Sequence, residues 1–303
     1  MTGPLRVLIA PAPLPGLAQA VDRAGATLVE DHPGADVLLW TGSAEQFDED
    51  LLRSGIRWVQ LPSAGVEQWQ KIIGRWPAVV WFSAAGAYSA QVAEHAVALL
   101  LACSHNLASQ ARHDGWQRVE YRPLRGSRLT VLGAGGVGQA VIELLRPFGL
   151  QVTAVNRTAA PVAGASRTLA LGDWPTWAET DHLVASLPST AATEGAIGVE
   201  QLGRLHSESV VVNVGRGSAL DQDAALASVA DGRIGWLGLD VTQPEPLPVD
   251  HPLWRSARVL ITSHSANPRA VRLASLADRV QANLVRMQAG RSPLAVVGAA
   301  TGY

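Results

Sequence analysis

Cysteine is nearly absent from this chain. Its 303 residues include one, Cys103. A single thiol rules out an internal disulfide and a thiolate metal cluster, and no metal site is expected. Cys103 lies in an apolar stretch and reads as a small buried hydrophobe. Long hydrophobic runs are also lacking. The most apolar helical stretch, Ala96–Cys103, is far short of the roughly 20 residues of a membrane span. Near the N-terminus, Arg6 is followed by a short apolar run and then by Pro11, Pro13 and Pro15, which does not read as a signal peptide, so a cytoplasmic location is expected. Charge of one sign is lacking too. The formal net charge is −2 and no basic run stands out, so neither a nucleic acid nor a membrane partner is expected.

The composition is that of an ordinary globular protein, with 48% hydrophobic and 17% charged residues. Its length fits about two domains at 100–200 residues each. Tryptophan is abundant, ten against three phenylalanines. Trp81 and Tyr88 read as core or interface packing.

Strand-like runs alternate with helical segments. Leu5–Ala10, Val37–Trp40, Trp58–Leu61 and Val79–Phe82 read as strands, with helices over Gly16–Ala24, Phe47–Arg53 and Glu67–Gly74. Ser89–Ala108 reads as one long apolar helix, buried between domains or subunits. A second set of strands covers Leu129–Leu132, Gln151–Val155, Leu183–Ser186, Val210–Val214, Trp236–Asp240 and Val259–Thr262, followed by a helix from about Ala270 to Met287. Such alternation implies βαβ units and mostly parallel sheets. The fold class is therefore α/β, with two Rossmann-like parallel-sheet domains. Residues 1–90 plus 271–303 would form one domain, to which the last helix returns, and residues 91–270 the other.

The second set opens on a glycine turn, Gly133-Ala134-Gly135-Gly136-Val137-Gly138. Gly133 allows a tight turn. Gly135 lets a pyrophosphate approach the backbone, and Gly138 lets helix and strand pack closely, while the helix N-terminus offers N–H donors. On its own the motif also suits a plain strand-to-helix turn or a methyltransferase. Between strand and helix it points to a dinucleotide. The next strand ends in Asn156-Arg157-Thr158. An acidic residue there would hold the ribose 2′-hydroxyl of NAD, whereas Arg157 suits a 2′-phosphate and Thr158 adds a hydroxyl. NADP (as NADPH) is favoured over NAD.

Asn213-Val214-Gly215-Arg216-Gly217, Asp240 with Glu245, and His264 each stand just beyond a strand. In an open parallel sheet those ends face the ligand crevice. Singly, each has an ordinary structural explanation. Together they place an Arg, two carboxylates and a His on one edge.

With these residues in place, the chain resembles the NAD(P)-dependent, D-isomer-specific 2-hydroxyacid dehydrogenases. The resemblance rests on LPSAGVE (Leu61–Glu67), GAYSAQVAEHAVALLLA (Gly86–Ala102), LRGSRLTVLGAGGVG (Leu124–Gly138), SLPST (Ser186–Thr190), VVNVGRGSALD (Val211–Asp221), GLDVTQPEPLP (Gly238–Pro248) and ITSHSAN (Ile261–Asn267). It implies a flavodoxin-like substrate domain and a Rossmann dinucleotide-binding domain, with the active site in the cleft between them. It implies a catalytic Arg216, Glu245 and His264, with Asp240 facing the nicotinamide carboxamide. Leu187, Pro188 and Ser189 would lie near the cofactor, as would Val214, and Ser63-Ala64-Gly65-Val66 would line the substrate carboxylate site. The substrate would be a small 2-oxo or 2-hydroxy acid and the assembly a homodimer. Many relatives have an acidic residue where Asn156 or Arg157 stands, and Asn where Ser83 stands. Trp40 occupies the place where some glyoxylate/hydroxypyruvate reductases put a tryptophan at the substrate mouth, so the resemblance leans to that branch. The rival expectation is a dinucleotide-sensing, corepressor-like binding protein, which the intact Arg–Glu–His set argues against. His95 is expected as a helix-face residue packed at an interface.

Overall fold

The computed structural model describes residues 3–116, 118–173 and 180–298. Residues 299–303, counted above in the first domain, lie outside the described residues. The chain divides into two compact units, one of Met1–Tyr88 with Pro268–Tyr303 and the other of Ser89–Asn267.

The first unit holds a five-stranded sheet of β1 (Arg6–Ala10), β2 (Thr27–Val29), β3 (Val37–Trp40), β4 (Trp58–Gln60) and β5 (Val80–Phe82), in the order β2-β1-β3-β4-β5. All four pairings are parallel, the flavodoxin-like order. Helices α1 (Leu17–Arg23) and α2 (Gln70–Arg75) belong to it. Leu38, Val59, Leu61, Trp69 and Trp81 form its core. The final helix of this unit, Arg269–Gln288, is amphipathic and returns to it through polar ties. Asn283 Nδ2 donates to the buried Gln60 Oε1 at 3.0 Å, and Arg279 Nη1 donates to Ala85 O at 2.7 Å.

The second unit starts with α3 (Ser89–Ser104) and α4 (Leu107–Gln110), where a single long helix was expected. The break falls at His105-Asn106. Asn106 takes the left-handed conformation at φ 54°, and its side chain turns away to Glu120 O and Trp236 Nε1. Side-chain bonding of this kind competes with helix propagation.

Seven strands follow: β6 (Arg128–Leu132), β7 (Gln151–Asn156), β8 (Arg167–Ala170), β9 (His182–Ala185), β10 (Val210–Asn213), β11 (Trp236–Leu239) and β12 (Val259–Ile261). Their order is β12-β11-β10-β9-β6-β7-β8, and every pairing is parallel. In this unit's own count that is the doubly wound 3-2-1-4-5-6 order with one more strand. Helices α5 (Gly136–Leu145), α6 (Val199–Leu202) and α7 (Gln222–Ala230) complete the unit, and the returning helix is numbered α8.

Both faces of this sheet are covered, which explains why its strands read as unbroken apolar runs rather than alternating ones. Leu132, Leu183, Val211 and Leu237 pack on one face with Ala225 and Val229 of α7. Val131, Val184, Val210 and Val212 pack on the other with Ala96, Leu100 and Cys103 of α3 and Val141 and Ile142 of α5. Cys103 is fully buried, and burial pushes its thiol pKa up to about 12. No described helix is long and apolar enough to cross a membrane.

Candidate active site

In a parallel sheet all strand C-termini open on one edge, and the second unit gathers most of the candidate residues there. The glycine turn leaves β6. Gly133 (φ 93°) and Ala134 both donate their N–H to Val155 O, at 2.9 and 2.8 Å, which folds the turn over the end of β7. A Cβ on Gly133 would stand 2.9 Å from the Ser186 carbonyl, so no side chain fits. Gly135, the residue before α5, is different: nothing lies within 4 Å of where its Cβ would be. The turn therefore leaves open space in front of a ten-residue helix N-terminus, the setting a pyrophosphate needs. By this measure the turn fits a dinucleotide.

Beyond β7, Asn156 builds a local turn. Its Oδ1 accepts from Thr158 N at 3.1 Å and its Nδ2 donates to Ala160 O at 2.8 Å. Asn156 is thus occupied as a scaffold. Arg157 and Thr158 are exposed, and Arg157 makes no ion pair among the described residues. After β9, Ser186 Oγ donates to Gly133 O at 2.8 Å, and Thr193 Oγ1 donates to Pro188 O at 2.6 Å, fixing the Leu187-Pro188 step beside the glycine turn.

After β10, the fully buried Asn213 braces the arginine turn. Its Nδ2 donates to Arg216 O at 2.9 Å and its Oδ1 accepts from Gly215 N at 3.1 Å. Val214 N donates to Ala185 O at 2.9 Å, continuing the ladder one step past the strand. Arg216 Nη1 bonds Gly215 O at 2.9 Å, which draws the guanidinium back toward its own turn.

Two segments then meet. Glu245 Oε1 lies 2.7 Å from His264 Nδ1, with side chains 40% and 53% exposed. His264 Nε2 has no hydrogen-bond partner among the described residues. His264 also sits at φ 47°, in the left-handed region that non-glycine residues avoid. Asp240 is almost fully buried, and its carboxylate folds the segment around it. Oδ1 accepts from Thr262 Oγ1 at 2.6 Å and Ser265 N at 2.9 Å, and Oδ2 from Ala266 N at 3.2 Å.

Sequence reasoning missed His95. Its Nε2 is 2.9 Å from Thr262 Oγ1 and 3.3 Å from Asp240 Oδ1. The ring belongs to a polar network on the strand-end edge. The signal was weak, since the two partners are 167 positions apart in the case of Thr262. Asn213 was visible in the sequence but gave no hint of its bracing role.

In the first unit, one expectation is corrected. Trp40 is 2% exposed, its Nε1–H donates to Ser43 O at 3.0 Å, and its ring packs edge-on against Phe47 at 4.8 Å. It is a core residue with its polar handle already used, so it does not present a surface to a substrate. Trp81 and Tyr88 are buried as expected. The Ser63–Val66 turn keeps a different character. Ser63 Oγ donates to Gly65 O at 2.7 Å, and the N–H groups of Ala64, Gly65 and Val66 have no acceptor among the described residues. The helical segment that follows starts at Glu67, two residues past Gly65.

No set of three His, Cys, Asp or Glu side chains is placed to hold a metal among the described residues.

Residues 97–266 match the model of the D-isomer specific 2-hydroxyacid dehydrogenase NAD binding domain. The chain is 35% identical over 290 residues to the "Uncharacterized protein in proB 3′region" of Corynebacterium melassecola, covering 93% of this chain and 95% of that one. It is 32% identical over 220 residues to glyoxylate/hydroxypyruvate reductase A of Yersinia enterocolitica, covering 71% and 69%. Among solved structures, the D-isomer specific 2-hydroxyacid dehydrogenase from Xanthobacter autotrophicus Py2, in complex with NADPH and MES, superposes with TM-score 0.83 at 25% identity over the whole of both chains.

Proposed function

Because the chain belongs to the D-isomer specific 2-hydroxyacid dehydrogenase family of NAD(P)-dependent oxidoreductases, we propose that it reduces a small 2-oxo acid, of the glyoxylate or hydroxypyruvate kind, to the D-2-hydroxy acid with NADPH. The observation that carries the reading is the Glu245–His264 pair at 2.7 Å, with His264 Nε2 left unbonded among the described residues. A carboxylate that takes the Nδ1–H bond fixes the ring and its orientation and leaves Nε2 as the nitrogen that can hand a proton to substrate. A 2-oxo acid needs such a donor at its ketone oxygen, where negative charge develops as the carbon is reduced.

Arg216 stands two connections away on the same sheet edge. Its planar fork suits a carboxylate beside a carbonyl, holding the acid and polarising the ketone. The reduced nicotinamide, when bound, supplies the hydride. His264 Nε2–H gives the proton that converts the oxyanion to the hydroxyl, and Glu245 holds the ring in place for that transfer. Positioned acid–base help of this kind is worth about 10²–10⁴ in rate. For the Ala64–Val66 turn of the first unit we propose carboxylate binding through its N–H groups.

NADPH rather than NADH follows from Arg157. Its guanidinium is exposed at the end of β7, where an acidic residue would select the unphosphorylated ribose. The Xanthobacter relative also holds NADPH. The pyrophosphate would lie over Gly135 and Gly136 at the start of α5, with Val137, Leu187, Pro188 and Val214 around it. Among the described residues Asp240 Oδ2 accepts a single bond, from Ala266, and so retains acceptor capacity for the carboxamide.

The test mixes purified protein with NADPH and a panel of 2-oxo acids and follows loss of the reduced-nicotinamide absorbance. Turnover of glyoxylate or hydroxypyruvate is expected, and His264→Ala or Arg216→Ala should abolish it while NADPH still binds. Turnover unchanged in either variant would refute the assignment.

A further inference from the structure

We infer that His95 of α3 is a positioning residue for His264, acting through Thr262 and Asp240. Its catalytic consequence rests on the reductase reading above; its geometry does not. Proton counting fixes the tautomer of His95. An ionised carboxylate only accepts, so the single hydroxyl proton of Thr262 must point at Asp240 Oδ1, 2.6 Å away. Thr262 Oγ1 then has no proton to offer His95 Nε2 at 2.9 Å and must accept from it. His95 therefore carries its proton on Nε2. The same N–H lies 3.3 Å from Asp240 Oδ1, so it is shared between the hydroxyl and the carboxylate.

The segment this network holds is the one that carries His264. Its N–H donates to Asp240 O at 2.9 Å and to Thr262 O at 3.0 Å, and both of those residues belong to the network. The next two N–H groups, Ser265 and Ala266, end on the Asp240 carboxylate. His264 is thus kept at φ 47° by contacts on both sides of it. A residue in a sparsely populated backbone region persists only where its surroundings over-determine it. Helix α3 supplies part of that constraint twice. Gln91, one turn before His95, donates from Nε2 to Asn267 Oδ1 at 3.0 Å. Two residues spaced four apart on one helix face therefore clamp the two ends of the Thr262–Asn267 segment, with the proposed acid between them. Without the His95 N–H, Asp240 and Thr262 lose a donor and the turn loosens. His264 Nε2 then leaves the place set for it beside Glu245. Misplacement of a reacting group by about 1 Å can cost about 10²-fold in rate.

The test compares His95→Leu, which removes the donor, with His95→Gln, which keeps an N–H at similar reach, and with Thr262→Val, which cuts the relay. Imidazole nitrogen NMR on the nucleotide-free full-length protein should show His95 as the Nε2–H tautomer. The His264 ring signal should shift in His95→Leu and Thr262→Val and return in His95→Gln. In turnover, His95→Leu should lose about 10- to 100-fold in kcat. The KM for the 2-oxo acid and the NADPH dissociation constant should barely move, and His95→Gln should recover most of the loss. A His95 proton on Nδ1, an unmoved His264 signal, or a loss that Gln fails to rescue each overturns the inference. A wild-type protein inactive on every 2-oxo acid overturns the reductase reading instead, and the NMR arm still decides the positioning. If His95→Leu fails to fold, Thr262→Val carries the same comparison.

Discussion

Gly135→Ala should separate nucleotide binding from folding. The backbone there is extended at φ −82°, which any residue adopts, and an added Cβ meets nothing within 4 Å. Losing glycine at the helix cap costs up to about 1 kcal/mol. Restricting the unfolded chain offsets that by about 0.4–1 kcal/mol. Net stability should therefore stay within about 1 kcal/mol of the parent. The methyl group nevertheless occupies the space proposed for the pyrophosphate. Charge-assisted hydrogen bonds run about 1.5–3 kcal/mol each, so displacing the phosphate by one such bond, at about 2 kcal/mol, weakens NADPH roughly 30-fold. Gly138→Ala is the control of opposite kind. Its Cβ would fall 2.5 Å from Gly133 O and 3.0 Å from Val131 Cγ1. Overpacking of that sort costs about 1–3 kcal/mol. Thermal unfolding of the nucleotide-free protein reads the first quantity, and titration of nicotinamide fluorescence reads the second. Wild-type NADPH affinity in Gly135→Ala, with the fold intact, would refute the placement of the pyrophosphate.

Three more outcomes follow from single residues. His182 in β9 is fully buried with neither ring nitrogen hydrogen-bonded in the described structure, and burial pushes its pKa from 6.5 down to about 4, against the pull of Asp181. Below pH 6.5 the unfolded chain takes up a proton that the folded chain refuses until about pH 4. Stability should thus fall across that window by about 3 kcal/mol, with no such cost above it; urea unfolding of wild type and His182→Leu at several pH values checks this, and parallel slopes would contradict it. Arg157→Ala should weaken NADPH at least about 10-fold and leave NADH unchanged, read as the ratio of KM values. Trp40→Ala should cost about 3–5 kcal/mol of stability in denaturant, whereas intact stability with an altered substrate KM would return Trp40 to the substrate's side.

What was legible in the sequence followed how fully each segment is buried. The ten strands read from apolar runs all appear, each within a residue or two of its expected ends. The two that were missed, β2 and β8, are outer strands with the patterns Thr-Leu-Val and Arg-Thr-Leu-Ala. Half exposed and three or four residues long, they carry no run to detect. Trp40 was misassigned for a related reason. An aromatic at the end of a strand is compatible with either core or site, and only its neighbours decide. Here Phe47 and Ser43 O take its ring and its N–H. The end of the long helix at Asn106 was hidden because Asn106 finds partners in Glu120 and Trp236, which local sequence does not reveal.

The candidate site was easier to read than its supports, and the topology explains why. In a wholly parallel sheet the connection after every strand opens on one edge, so locating strand ends is enough to collect Arg157, Arg216, Glu245 and His264 without knowing which strands are neighbours. Lateral order is a different matter. After β8 the chain crosses back to lay β9 on the free side of β6, and β10, β11 and β12 continue outward from there. The connections after β6 and β9 therefore face each other where the order reverses, and there Gly133 meets the Ser186 carbonyl with no room for a side chain. In sequence, Gly133 looks like a residue needed for a tight turn. In the fold it is also required by a segment more than fifty residues away, because the ligand crevice of such a sheet opens where two connections diverge. A glycine motif read locally captures the first demand. The second demand becomes visible only with strand order, as does His95, whose partners Thr262 and Asp240 lie on other connections of the same edge.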